Sequence, residues 1–115
     1  MKNISILNTL QDSFATILCS IIMSDNIVSE KEKKKFTGFF KDEFSLSAEE
    51  TEVLFRKSME NLGKLDTYLL QLKKGLEDYP IEKARFMKYL NECIICDGVD
   101  NREYITFEEI RLKLF

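Results

Sequence analysis

One hundred and fifteen residues, 44% of them hydrophobic and nine of them Phe, suit one compact domain (1–115) with a real core, and four Gly and one Pro leave little room for linkers. The formal charge of -3 lacks the strongly basic balance that nucleic acid or an anionic membrane surface would favour. The longest uncharged stretch, Ser13 to Ser24, falls short of the ~20 apolar residues that span a bilayer, so no membrane insertion is expected. Asn8, Gln11 and Asp12 interrupt any signal-peptide core, and Leu18 is too large to precede a lipoprotein Cys19, which makes the cytoplasm the expected location.

Apolar residues at Leu7, Leu10, Phe14, Ile17, Leu18, Ile21 and Ile22 have the three-and-four spacing of a buried helix face, predicting helix over 4–24. A second helix follows Ser29, with Phe36, Phe39, Phe40 and Phe44 inward as core aromatics. Its lysines, Lys31, Lys33, Lys34 and Lys35, are interrupted by Glu32 and read as a solvated face. Ser45 and Leu46 connect to a capping box, Ser47-Ala48-Glu49-Glu50, which opens a third helix carrying Leu54, Phe55, Met59 and Leu62 and closed by Gly63. Asp66 is expected to cap a fourth helix with Leu69, Leu72 and Leu76 inward, where Gly75 is a propensity cost of about 1 kcal/mol relative to Ala. Pro80 suits the first turn of a fifth, presenting Ala84, Met87, Leu90 and Ile94. A short sixth, with Phe107, Ile110 and Leu114, is expected to start at a capping box from Thr106 to Glu109. No useful segment alternates as a half-buried strand would, so the expected fold is all-α. It is an irregular bundle of five or six helices, with helices 1 and 5 at the centre.

Two turns share one plan. In Ser24-Asp25-Asn26-Ile27-Val28-Ser29-Glu30-Lys31-Glu32, Asn26 suits the left-handed residue that ends a helix, and Ser29 with Glu32 reads as a capping box. Cys96-Asp97-Gly98-Val99 begins a second copy; aligning Ile105 and Glu109 with Val28 and Glu32 makes its turn five residues longer. Two pseudo-symmetric helical hairpins therefore flank a middle section. This doubled Asp-Gly/Asn turn, with a small hydrophobe and then a Glu one helical turn on, resembles the TerB-like family, named for tellurite resistance and including the N-terminal region of the DjlA co-chaperone. Asp25, Asn26, Val28 and Glu32 match the first motif, with Asn where Gly is usual; Asp97 and Gly98 match the second, and Ile105 and Glu109 match if the insertion is accepted. The resemblance implies an all-helical, non-enzymatic domain from a bacterial stress-response setting, with acidic residues that bind a cation.

Cys93-Ile94-Ile95-Cys96 has redox or half-zinc spacing, but it ends a helix, where the dipole disfavours a thiolate. Three Cys and no His do not complete a tetrahedral zinc set, so the pair reads as core. Catalytic motifs are missing: there is no His, nucleophile elbow, phosphate loop or dinucleotide fingerprint. An EF-hand register would put Glu103 where Gly is needed and Gly98 at the first ligand, which excludes that loop.

Asp25 and Asp97 remain, each at a helix C-terminus where a carboxylate meets the negative dipole end at a cost of about 0.3 to 1 kcal/mol. Asx-turns can offset that cost, and so can a hard divalent cation, Mg²⁺ or Ca²⁺, held by Asp25 and Asp97 with Glu32 and Glu109 nearby, or with Asp100 in place of the last. The expected function is a non-enzymatic stress-response or adaptor domain with that acidic site and with other proteins as partners. The alternative is a structural or protein-interaction module with no ligand.

Overall fold

The computed structural model describes residues 10–23, 30–95 and 101–114, and among these the only regular elements are helices. Six α-helices follow in chain order: α1 (Gln11–Ile22), α2 (Glu30–Phe44), α3 (Ala48–Glu60), α4 (Leu65–Gly75), α5 (Pro80–Ile95) and α6 (Asn101–Leu114), with a 3₁₀ turn at Leu62–Lys64 between α3 and α4. The expected all-α bundle is the fold observed.

In α1 every residue from Ser13 to Ile22 is buried. A helix that is apolar around its whole circumference has to be covered on all sides, and α2, α3, α4, α5 and α6 all pack on it. Its few polar groups are mostly answered locally: Ser13 Oγ donates to Gln71 Oε1 at 3.2 Å, and Ser20 Oγ to the Ile17 carbonyl at 2.6 Å. Thr16 Oγ1 is buried with no hydrogen-bond partner among the described residues.

The expected aromatic face of α2 is core. Phe36, Phe39 and Phe40 are at most 1% exposed, and edge-on contacts tie three helices to α2 or to one another, Phe14 to Phe86 at 4.7 Å, Phe36 to Phe55 at 5.1 Å and Phe39 to Tyr89 at 4.6 Å between centroids. Ser45, with φ of 57°, turns the chain out of α2. The Ser47–Glu50 capping box forms in both directions: Glu50 N–H donates to Ser47 Oγ at 3.1 Å and Ser47 N–H to Glu50 Oε1 at 3.0 Å. Those bonds hold the Glu50 carboxyl below its ordinary pKa.

Several expectations are corrected. The third helix ends at Glu60, and Gly63 lies inside the 3₁₀ turn. Asp66 makes no capping bond and instead pairs with Lys113 at 2.8 Å, joining α4 to α6. Gly75 has a packing reason, since a Cβ there would sit 2.6 Å from Leu10 Cδ1, so the start of α1 closes over the end of α4. On α5, which Pro80 opens as expected, Ala84 is exposed and Phe86 takes the core position, because the buried stripe runs Phe86, Met87, Leu90, Cys93 and Ile94. That single stripe leaves α5 peripheral, so α1 alone is central. The chain is already helical at Asn101, so Thr106 is not a cap: it lies inside α6 and its Oγ1 donates back to the Arg102 carbonyl at 3.0 Å. The residues expected to lengthen the second turn are the start of α6.

Three stability predictions follow from this geometry. Ser47→Ala is expected to lower unfolding free energy by about 1 kcal/mol, whereas Thr106→Ala is expected to change little, with urea melts as the measurement. The Glu50 part of the cap is present at neutral pH and lost as pH falls through the lowered carboxyl pKa. Thr16→Val, which removes a buried hydroxyl without a partner at nearly constant shape, is expected to raise stability by about 1 kcal/mol in the same melts.

Candidate functional site

The acidic residues singled out by the sequence do not form one described cluster. Asp25, Asp97 and the alternative Asp100 lie outside the described residues, as do Asn26, Val28, Ser29 and Gly98. Glu32 and Glu109 are described, and their surroundings differ.

Glu32 stands one helical turn before Phe36, so the spacing that buries Phe36, Phe39 and Phe40 carries Glu32 inward as well. It is 3% exposed. Its place in the first turn of α2 puts the carboxylate near the positive end of the helix dipole. A buried carboxylate needs donors or a cation close by, and Glu32 is not without a partner.

Glu109 is exposed in the second half of α6, next to Ile110, which with Leu114 faces the core. Its neighbour Glu108 is clamped by Arg111 through Nη2 at 2.8 Å and Nε at 3.1 Å, which holds the Glu108 carboxyl below the usual range. Among the described residues α2 and α6 are not a packed pair, and no group of three or more His, Cys, Asp or Glu is placed to hold a metal ion. Because residues 101–105 are helix, the position as far beyond Asp97 as Glu32 is beyond Asp25 is Tyr104, which packs against the core.

One acidic site went unforeseen. The Glu43 side chain, at the end of α2, is 4% exposed, with Arg85 Nη2 2.7 Å and the Tyr89 hydroxyl 3.4 Å from its Oε1, which locks α2 to α5. Burial, then the nearby Glu43, Asp42 and Glu92 charges, push the Tyr89 phenol upward. Nothing local in the sequence marks this pair, since its partners are more than 40 residues apart.

The cysteines fit the core reading where they are described. Cys93 is buried at 1%, and Cys96 lies outside the described residues. Cys19, fully buried in α1, has its thiol pushed from 9.0 up to about 12, chiefly by desolvation. A neutral thiol of this kind is a poor nucleophile. Alkylation of Cys19 and Cys93 by iodoacetamide at mildly alkaline pH is expected to proceed only as fast as the fold opens, read by mass spectrometry with and without denaturant; rapid labelling of the native protein would contradict this. The raised pKa also means that the stability held by the neutral Cys19 thiol is complete below pH 9.0 and lost as pH rises toward about 12.

Comparison with known proteins gives one positive finding. The family model described as tellurite resistance protein TerB matches residues 11–107, from the first residue of α1 to the middle of α6. No curated protein and no solved structure matches the chain.

Proposed function

This chain belongs to the TerB family, and we propose that it serves as a small non-enzymatic adaptor domain of a stress response, recognising other proteins through its helical faces. The observation that carries the reading is the division of the surface from the core. The core closes on α1 without help from Leu70 and Leu112, which are 54% and 69% exposed and line one open cleft, or from Lys34 and Lys35, which enter no ion pair among the described residues. A cytoplasmic setting belongs to the same proposal; among the described residues no helix is long and apolar enough to cross a membrane. Photo-cross-linkers placed singly at Lys35, Val53 and Leu70, on three different helices, test the adaptor reading in cells. Discrete adducts from one face are expected, and adducts spread equally over all three would contradict it.

Buried Glu32 favours a second reading that can coexist with the first: a divalent cation, Mg²⁺ or Ca²⁺, held by Asp25, Glu32 and Asp97, with Asp100 rather than the exposed Glu109 as a further oxygen donor. A cation that binds only the folded state raises its stability by RT ln(1 + L/Kd), where L is the free ion concentration, so the gain grows as the ion exceeds its Kd. Millimolar Mg²⁺ or Ca²⁺ is therefore expected to raise Tm for the wild type and not for Asp25→Asn, which keeps the turn's hydrogen bonding. Equal Tm values with and without the ions, together with native mass spectra free of bound metal, would leave the interaction module without a ligand.

A further inference from the structure

The outer side of α2 carries a stripe that the core does not use. Lys31, Lys34, Lys35, Gly38 and Asp42 follow one another at helical spacing and form one wall of a cleft toward α5. Its floor is apolar: the Phe39 ring, 1% exposed, and the half-buried Tyr89 ring meet edge-on at 4.6 Å. A second groove runs along the other flank of the same stripe and shares Lys34 and Gly38 with the first.

Two independent features need an explanation from outside the chain. Gly38 sits in the interior of α2, where glycine is one of the least favourable residues, yet a Cβ built there would meet nothing within 4 Å. Among the described residues no close approach requires its small size. The missing side chain does leave the Tyr89 side of the cleft open. The lysines around it are likewise divided. Lys33, on the flank, bridges to Glu52 at 3.1 Å, whereas Lys34 and Lys35 form no ion pair among the described residues, in a chain of net charge -3 with acids to spare.

We propose that this cleft docks a short acidic segment of a partner protein, its carboxylates against Lys34 and Lys35 and one apolar side chain laid across Gly38 against the Tyr89 ring. The proposal rests on the adaptor reading and supplies the surface and the chemistry of the partner. Charge complementarity selects the acidic class, and the Tyr89 ring selects the apolar residue beside it. A nucleic acid or an anionic bilayer fits less well, because Asp42 lines the same cleft and Glu43 and Glu92 stand around Tyr89, so an extended run of phosphates would meet these acids.

Selection of short random peptides displayed against the purified protein tests this. Enriched sequences are expected to combine Asp or Glu with Phe, Leu or Ile. A synthetic peptide of the enriched sequence is expected to shift the backbone NMR signals of Lys34, Lys35 and Gly38 and to bind about tenfold more weakly to the Lys34→Glu, Lys35→Glu double variant. Gly38→Ala separates recognition from folding: it is expected to raise Tm while weakening the peptide, whereas a purely structural glycine would move both the same way. Enriched peptides without an acidic excess, undiminished binding to the double variant, or tighter binding of the stripe to phosphatidylserine vesicles or duplex DNA would each overturn the proposal. Acidic peptides that bind with shifts confined to another face would overturn the cleft and leave the adaptor reading standing. Failure to enrich any peptide overturns the cleft, and the cross-linking pattern then decides the adaptor reading separately.

Discussion

The burial of α1 on every side is the constraint on which the rest of the molecule depends. From Ser13 to Ile22 no position is free to face water, so the remaining helices are needed as cover before anything else. Each supplies a stripe: Phe36, Phe39 and Phe40 from α2, Leu54 and Phe55 from α3, Leu69 and Leu72 from α4, Phe86 and Leu90 from α5, Ile110 and Leu114 from α6. Truncating one central ring such as Phe14, which touches Phe39, Phe44 and Phe86, carries a cost of about 3 to 5 kcal/mol, a large part of the stability of a domain this size.

The same constraint accounts for the unequal halves of the bundle. The hairpins α1–α2 and α5–α6 cross-pack, with α2 on α5 and α6 on α1, as two related hairpins would. What breaks the equivalence is the middle section. α3 and α4 cover the remaining side of α1, while α5 keeps its outer side in water, with Ile81 71% and Ile95 51% exposed. The first helices of the two hairpins therefore have different duties, α1 a core element and α5 an amphipathic wall.

Much of the fold was legible in the sequence because periodicity and caps agreed. Ser47 and Glu50 formed the box their spacing announced, and Pro80 opened α5. The failures have physical reasons. Thr106 and Glu109 imitate a capping box, but Tyr104, Phe107, Ile110 and Leu114 already continue one helical face, and that packing carries the helix back to Asn101. Ala84 gave way to Phe86 because the larger ring gains more by burial, rotating the inward stripe of α5. The Glu43–Arg85–Tyr89 contact depends on tertiary pairing that no local pattern encodes. Of the candidate acidic site only Glu32 and Glu109 can be placed, one inside and one outside, since Asp25 and Asp97 fall outside the described residues. The lysine run was legible as a solvated face, while the meaning of Gly38 emerges only when the space around it is known.

A fold organised around one enclosed helix makes a direct demand on its dynamics, because the amides of α1 can reach solvent only when the surrounding helices have come away. Native-state hydrogen exchange measures this residue by residue. The account predicts that amides from Phe14 to Ile22 exchange slowest of all, with an opening free energy equal to that of global unfolding. Faster exchange in α1 than in α4 or α6, through a local opening insensitive to denaturant, would contradict it.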